Sequence, residues 1–147
     1  MMLEIWCDGG ARPNPGNGGI GFVVKRNGKI IMDGYQYLGD KITNNQAEFS
    51  SIVNALSVVF SELKDRQIIV YMDSRLVVMS SPSRELSRRF VIRDKKLKVF
   101  VNLLEKLISK FESVVIEKIS REENKLADKL CHIAIDTKHT RVMQYEP

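Results

Sequence analysis

The sequence has no apolar run approaching the roughly 20 residues that a membrane-spanning helix requires. Its first residues also lack the pattern of a secretory signal peptide, because a strand-like segment begins almost immediately. No internal repeat and no linker-like stretch divides the 147 residues, which are enough for one domain with a core of its own. We therefore expect a cytoplasmic protein with no membrane contact.

Cysteine is scarce, since the chain contains only Cys7 and Cys131. Their spacing matches no metal-ligand motif. In a reducing compartment such residues are ordinarily buried free thiols, and a disulfide between them is the alternative. The sequence therefore predicts two free thiols and leaves their pairing open.

The net charge of +5 suits a polyanionic partner, although many small basic proteins bind nothing anionic. Hydrophobic residues make up 44% of the chain and charged residues 28%, which is ordinary for a soluble globular protein. The cations are concentrated in one stretch, which contains Arg84, Arg88, Arg89, Arg93, Lys95, Lys96 and Lys98. By charge alone, a solvated helix face is favoured over a phosphate-binding surface for this stretch.

Apolar and alternating segments predict five strands, at residues 2–8, 20–26, 29–39, 67–73 and 113–119. Asn27-Gly28 is a strong signal for a tight hairpin between the second and third strands. Between the first two strands, the glycines and prolines of "GGARPNPGNGG" predict a loop. The first three strands should therefore form an antiparallel meander.

Helical periodicity follows in the rest of the chain, at residues 43–63, 74–81, 94–111 and 122–136. Pro82 should end the second of these helices. A strand, a helix and another buried strand indicate a right-handed crossover that joins parallel strands. We therefore expect an α/β domain over residues 1–136, in which a five-stranded mixed sheet (three antiparallel strands, then two parallel) is flanked by helices. No structure is predicted for the tail, residues 137–147.

Four carboxylates fall at places where these elements should meet. Asp8 and Asp73 end the first and fourth predicted strands, which would be parallel neighbours. Glu48 lies one turn before the apolar stripe of the first helix, and Asp128 borders the stripe of the last. Clustered carboxylates repel one another, so they need raised pKa values or divalent cations. Oxygen ligands favour Mg²⁺ or Mn²⁺, and two such ions can assist an in-line phosphoryl displacement.

Each acid also has a local explanation. Asp8 before two glycines suits a turn, and Asp73 before Ser74 suits a helix cap. The remaining alternatives are pairs with neighbours in sequence: Asp128 with Lys125 or Lys129, and Glu48 with Asn45 in a capping box. These local explanations would all have to hold at once, whereas a shared site accounts for the four acids together.

Four segments in order, "DGGARPNPGNGGIGFVV", "TNNQAE", "MDSRLV" and "SREENKLAD", resemble the type 1 ribonuclease H family over nearly all of residues 3–136. The resemblance implies a ribonuclease H-like fold. It also implies an endonuclease that hydrolyses the RNA strand of RNA–DNA hybrids and leaves a 5′-phosphate and a 3′-hydroxyl, with double-stranded RNA open as a second substrate. Family members need no protein nucleophile, which agrees with the absence of a Ser–His or Cys–His arrangement near these segments.

The same resemblance assigns two Mg²⁺ or Mn²⁺ ions to the four acids. Asp8 would bridge both ions, and Asp128 would help to hold the one that activates the attacking water. Glu48 and Asp73 would help to hold the one that stabilises the leaving 3′-oxygen.

Substrate contacts are also implied by the resemblance. Asn14, Asn44 and Asn45 would face the minor groove of the hybrid, where amides can donate to and accept from a 2′-hydroxyl. Thr43 would contact a DNA phosphate. Gly9 and Gly10 would allow the backbone to approach the sugar–phosphate chain closely.

The chain departs from the family pattern in three places. Arg75 stands where many members have glutamine, and it lacks the acceptor that glutamine offers. The loop before the last acid has no histidine, so Arg121 or Glu123 would have to assist product release; His132 and His139 are expected to be surface or packing residues. A shorter basic stretch replaces the long basic handle, and its expected phosphate contacts are Arg89, Arg93 and Lys95. The expected protein is a monomer, and the alternative function is a non-catalytic module that binds a hybrid or a duplex.

Overall fold

The computed structural model describes residues 2–82 and 89–145 of the chain. Six strands are formed: β1 (Leu3–Arg12), β2 (Gly16–Arg26), β3 (Lys29–Ile42), β4 (Gln67–Met72), β5 (Ser113–Lys118) and β6 (Arg141–Gln144). The helices are α1 (Asn44–Glu62), α2 (Arg75–Ser80), α3 (Lys95–Ile108) and α4 (Lys125–Thr137), and a 3₁₀ turn (Arg121–Asn124) leads into α4. Arg84 and Arg88 of the basic stretch lie outside the described residues.

The strands form one mixed sheet in the order β5-β4-β1-β2-β3-β6. The pairs β1–β2, β2–β3 and β3–β6 are antiparallel, and the pairs β1–β4 and β4–β5 are parallel. The mixed sheet and its flanking helices are therefore confirmed, but the described residues contain six strands instead of five. The additional strand, β6, comes from the tail for which no structure was predicted.

The prediction of a loop over residues 9–19 was wrong, because β1 continues to Arg12 and β2 already begins at Gly16. Helices take the space beside some of the glycines in these strands. A Cβ on Gly9 would lie 2.1 Å from the carbonyl oxygen of Ala47 in α1, and one on Gly21 would lie 2.3 Å from that of Ala127 in α4. Glycine here permits close helix–sheet packing, which the local sequence pattern does not reveal.

The two main helices lie on opposite faces of the sheet. Asp8 pairs with Gly21, and Gly9 pairs with Ile20, so Gly9 and Gly21 point to different faces. Gly9 meets α1 and Gly21 meets α4. The main core lies on the α1 face, where α3 also packs against α1, and its largest fully buried side chains include Phe22, Phe49, Leu56 and Leu104. None of the helices in the described part of the chain is long and apolar enough to cross a membrane.

The cysteines are free and buried, as the sequence predicted. Cys7 forms a hydrogen bond with Ser51 of α1, whereas the thiol of Cys131 lies 3.2 Å from the carbonyl oxygen of Gly19 and belongs to α4. Because α1 and α4 cover opposite faces, the sheet separates the two thiols. Burial raises the pKa of each thiol to about 12, so both should resist alkylation in the native protein.

Candidate active site: a carboxylate cleft

Asp8 and Asp73 meet at the edge where the parallel strands stop pairing. The last paired residues of β1 and β4 are Trp6 and Tyr71, and each acid lies two residues further along its strand direction. The sequence had suggested that Asp8 ends its strand. Instead, β1 continues beyond Asp8, where it pairs with β2 alone. Asp8 therefore does not lie in a turn, and the predicted approach of the two acids is confirmed: both line one cleft.

Glu48 reaches the same cleft because α1 begins beside β1. Thr43 is the N-cap of α1, and it forms a capping box with Gln46 at distances of 3.0 and 3.1 Å. The proposed capping box between Glu48 and Asn45 was therefore wrong. The carboxylate of Glu48 instead accepts a hydrogen bond from the hydroxyl of Ser74.

Ser74, rather than Asp73, caps helix α2. Its hydroxyl oxygen accepts a hydrogen bond from the backbone N–H of Val77 at 3.3 Å. The capping explanation for Asp73 was therefore wrong, and the carboxylate of Asp73 remains in the cleft.

Asp128 approaches Asp8 from α4. The proximity of the Asp128 carboxyl group is one of the causes that raise the pKa of Asp8. The Oδ1 atom of Asp128 also lies 3.3 Å from Nε2 of His132, one turn further along α4. The structure thus pairs Asp128 with His132 rather than with either of the lysines considered from the sequence.

The cleft has a volume of about 330 Å³. It is lined by Asp8, Gly9, Gly10, Ala11, Arg12, Asn44, Glu48, Asp73, Arg121, Asp128, Cys131, His132 and Ile135. Arg12 and His132 were missed as site residues. The spacing of four residues between Asp128 and His132 on one helix face was a usable signal for His132, whereas Arg12 was hidden in the supposed loop.

Burial and mutual repulsion raise the pKa values of three of the acids. Burial and the nearby Asp73 and Asp128 raise the pKa of Asp8 to about 8. Burial also raises the pKa values of Glu48 and Asp73, and the positive charge of Arg121 partly opposes both shifts. The protein alone therefore does not neutralise this cluster, and protons or cations must do so.

The donor atoms suit a hard divalent cation, because four carboxylate groups converge on the cleft and all of their donors are oxygen atoms. Within residues 2–82 and 89–145, however, no group of three or more His, Cys, Asp or Glu side chains is already arranged to hold a metal ion. The carboxyl groups contact one another or Ser74 and His132 instead. Their chemistry fits Mg²⁺ or Mn²⁺, and binding would require side-chain rotation.

A second groove, of about 620 Å³, adjoins the start of α1. Four of the predicted substrate contacts line this groove, and the N-terminus of α3 lies there beside the "TNN" segment. The lining residues are Asn14, Thr43, Asn45, Gln46, Asp94, Lys95, Lys96 and Leu97. Asn44 faces the carboxylate cleft instead, where its side-chain oxygen accepts a hydrogen bond from the N–H of Ala11 at 2.8 Å. The side-chain oxygen of Asn14 likewise accepts a hydrogen bond from the N–H of Asn44 at 3.0 Å. In both asparagines a backbone N–H therefore holds the side-chain oxygen in place.

The glycines differ in what surrounds them. Gly9 is constrained by the backbone of α1, which fills the space beside it. Gly10 also lines the cleft, and a Cβ there would find its nearest neighbour, the Asn44 side-chain oxygen, 3.9 Å away. Open space for a substrate backbone thus exists beside Gly10, whereas helix packing accounts for Gly9.

The remaining predicted contacts, Arg75, Arg89 and Arg93, line neither the carboxylate cleft nor the second groove. The guanidinium of Arg75 lies 5.1 Å from the ring centre of Phe90, and the Nε atom of Arg89 is buried without a hydrogen-bond partner. Arg93 is exposed just before α3.

Of the two auxiliary candidates, Arg121 lines the carboxylate cleft and Glu123 does not. The Glu123 carboxylate accepts hydrogen bonds from the backbone and the hydroxyl of Ser120 at 3.2 and 2.9 Å, in a capping box of the 3₁₀ turn. The structure therefore gives Glu123 a capping role, and of the two candidates for product release only Arg121 lies at the cleft.

A family model described as "Reverse transcriptase-like" matches residues 6–134. The chain belongs to this family. Within the reverse transcriptase-like family, its resemblance to type 1 ribonuclease H is also confirmed by solved structures. The N-terminal RNase H domain of Rv2228c from Mycobacterium tuberculosis matches with a TM-score of 0.83 at 30% identity, covering 92% of this chain and 94% of that one. LC11-RNase H1, solved in complex with an RNA/DNA hybrid, matches with a TM-score of 0.80 at 31% identity, covering 92% and 98%.

Two relatives are longer than this chain, so the match covers only part of each of them. The bifunctional protein Rv2228c of M. tuberculosis is 31% identical over 138 residues, which represent 92% of this chain and 36% of that protein. Ribonuclease HI of Halobacterium salinarum is 30% identical over 135 residues, which represent 91% of this chain and 64% of that protein. The chain thus spans about a third of the mycobacterial relative and about two thirds of the archaeal one.

Proposed function

We propose that the protein is a divalent-metal-dependent endoribonuclease that hydrolyses the RNA strand of RNA–DNA hybrids. The observation that carries this proposal is the convergence of Asp8, Glu48, Asp73 and Asp128, from four different elements, on one cleft. The relatives support the substrate, because they include proteins named ribonuclease HI and a type 1 enzyme crystallised with a hybrid.

In this proposal the four acids, Asp8, Glu48, Asp73 and Asp128, would hold two Mg²⁺ or Mn²⁺ ions. Bound ions of this kind neutralise charge on the phosphate and help to generate the attacking nucleophile from water. The protein contributes placement: β1 and β4 fix Asp8 and Asp73 at one sheet edge, and α1 and α4 bring Glu48 and Asp128 from opposite faces. Cleavage leaves a 5′-phosphate and a 3′-hydroxyl.

The second groove would hold the backbone of the hybrid beside the cleft. Thr43 and Lys95 border it and are suited to phosphate oxygens, while Asn14 and Asn45 offer amides to a 2′-hydroxyl. The Asn14 amide retains its N–H donors, although its oxygen accepts the N–H of Asn44. Arg89 and Arg93 extend the positive surface toward α3, so binding of the hybrid should weaken steeply as salt rises.

Arg121 would take the place of the missing loop histidine. Its guanidinium is permanently charged and lies in the wall of the cleft near Glu48 and Asp73. In that position it can attract the scissile phosphate and hold the 5′-phosphate of the product. It cannot transfer a proton at neutral pH, so its contribution is electrostatic.

The test is a cleavage assay on four labelled, end-blocked duplexes of one sequence: RNA–DNA, RNA–RNA, DNA–DNA, and DNA with one embedded ribonucleotide. Each is incubated with Mg²⁺ and with Mn²⁺. Internal cuts in the RNA of the hybrid, abolished by Asp8→Asn without loss of the fold, are expected. Cutting of RNA–RNA would show that Arg75 broadens the range of substrates. Normal cleavage by Asp8→Asn would refute the assignment of the metal site.

A non-catalytic hybrid-binding module is the second candidate, and one observation favours it: the carboxylates are not already arranged around a metal position in the described residues. The same assay decides between the two. Tight binding of the hybrid with no cutting in either metal would favour the binding module. Internal cleavage would exclude it.

A further inference from the structure

Ser74 does not line the carboxylate cleft, but it contacts one of the acids that do. It is 6% exposed, and it lies between Asp73 and helix α2 without lining the cleft itself. Its hydroxyl donates a hydrogen bond to Oε2 of Glu48. A buried side chain that contacts an acid but not the open cleft can act on the chemistry only through that acid.

A second contact holds this hydroxyl in place. The Oγ atom of Ser74 accepts the backbone N–H of Val77 at 3.3 Å, as the N-cap of α2. An ionised carboxylate can only accept hydrogen bonds, so the one proton of the Ser74 hydroxyl is directed toward Glu48. The start of α2 thus fixes the position of the donor.

Glu48 needs such a partner because its own helix gives it none. It lies in the first two turns of α1, where the capping box is formed by Thr43 and Gln46. A glutamate has three side-chain torsions, so a free carboxylate there would sample several orientations. The hydrogen bond from Ser74 selects one of them and directs the group toward the end of β4, where Asp73 lies.

We propose that Ser74 is a positioning residue for cation binding, which orients the Glu48 carboxylate for a divalent ion. This inference rests on the proposed function, because it assumes that Glu48 is a metal ligand. Hydrogen-bond partners of ligating groups typically change metal affinity about 10–100-fold when they are removed. Ser74 should therefore alter metal affinity and kcat, while KM for the hybrid stays unchanged.

The decisive variant is Ser74→Gly, since glycine at an N-cap costs only a few tenths of a kcal/mol relative to serine. It removes the donor and largely preserves the helix start. Ser74→Ala makes the same test if the glycine variant does not fold. Ser74→Thr retains the hydroxyl and should restore metal binding. The matched control is Ser80→Ala, because the Ser80 hydroxyl is buried in the same helix but donates to the carbonyl oxygens of Leu76 and Val77.

The primary readout is Mn²⁺ affinity by isothermal titration calorimetry without nucleic acid, followed by kcat and KM on the hybrid. Ser74→Gly should bind Mn²⁺ about 10–100-fold more weakly and lose kcat, whereas Ser80→Ala should match the parent protein. In a Glu48→Gln background, removal of the hydroxyl should cause no further loss of affinity. Additive losses in that background, or a loss equal to that of Ser80→Ala, would overturn the inference.

Failure of the inference is distinguishable from failure of the proposed function. If the parent protein binds Mn²⁺ and cuts the hybrid while Ser74→Gly does both equally well, only the positioning role is wrong. A parent protein that binds no Mn²⁺ and cuts no hybrid would overturn both.

Discussion

Gly9 is the residue at which the geometry of the cleft is most tightly constrained. A Cβ at this position would lie 2.1 Å from the carbonyl oxygen of Ala47, and that oxygen belongs to the rigid backbone of α1. We expect Gly9→Ala to lower the free energy of unfolding by about 1–3 kcal/mol or more, because α1 must move away from β1. Chemical denaturation monitored by circular dichroism measures this loss.

Gly10→Ala is the matched control for Gly9→Ala. The nearest atom to a Cβ there is 3.9 Å away, so the added methyl group has room and the stability should stay close to that of the parent protein. Equal stability of the two variants would contradict the packing role of Gly9.

Arg121 and Glu123 allow a second comparison of neighbouring residues. Arg121→Ala should reduce kcat on the hybrid with little change in melting temperature, because the side chain is exposed and lines the cleft. Glu123→Ala should instead lower the melting temperature with little change in kcat, because it removes a capping box but no residue of the cleft. Steady-state kinetics and thermal melts on both variants provide the test. A large loss of kcat in Glu123→Ala alone would reverse the assignment.

Single residues also show what the sequence can and cannot predict. The four acids could be predicted to converge because strand ends and helix faces follow from local periodicity. Ser74 could not be predicted as the partner of Glu48, because the contact joins residues 26 positions apart, one in α1 and the other at the N-cap of α2. The capping role of Glu123, by contrast, could have been predicted, because its partner Ser120 lies only three residues before it.

At the scale of elements, β6 is the addition that the sequence did not reveal. It has four residues, three of them exposed, so it shows neither a buried run nor an alternating pattern. It forms because the edge of β3 offers unpaired backbone groups. The full lengths of β1 and β2 were also missed, because glycines in a sequence predict a loop. Only the packing of helices against these strands explains why some of the glycines lie within a sheet.

Removal of the chain after Lys138 should therefore destabilise the fold without altering chemistry. The deletion removes the β3–β6 ladder and the hydrogen bond from the N–H of Tyr37 to Thr140, at about 0.5–1.5 kcal/mol for each lost bond. Thermal melts should show a lower melting temperature, while cleavage at a temperature well below it should continue at the parental rate. Loss of cleavage by a folded, truncated protein would contradict this separation.

Tyr145→Phe is the control for the truncation. It removes only the hydrogen bond from the Tyr145 hydroxyl to the exposed carboxylate of Asp33 and leaves the strand in place. Its melting temperature should therefore lie much closer to that of the parent protein than to that of the truncated form.

At the scale of the whole molecule, the carboxylate cleft links stability to pH. Asp8 has a pKa of about 8 in the folded protein and about 4 in the unfolded chain. Between these values the folded state retains a proton that the unfolded state has released, so the free energy of unfolding falls as pH rises. Glu48 and Asp73 are shifted in the same direction. The metal-free protein should therefore melt several degrees lower at pH 8 than at pH 5.

Asp8→Asn separates this effect from other causes, because it removes the acid whose pKa is raised most and keeps the shape of the side chain. The variant should melt at a higher temperature than the parent at pH 8 and show a shallower dependence on pH. Asp136→Asn, an exposed acid on α4, should retain the parental slope. Under the proposed function Mn²⁺ would bind the ionised carboxylates of the folded state, so it should raise the melting temperature more at pH 8 than at pH 5. A parental melting temperature that rises from pH 5 to pH 8 without metal would show that the acids are not clustered in solution.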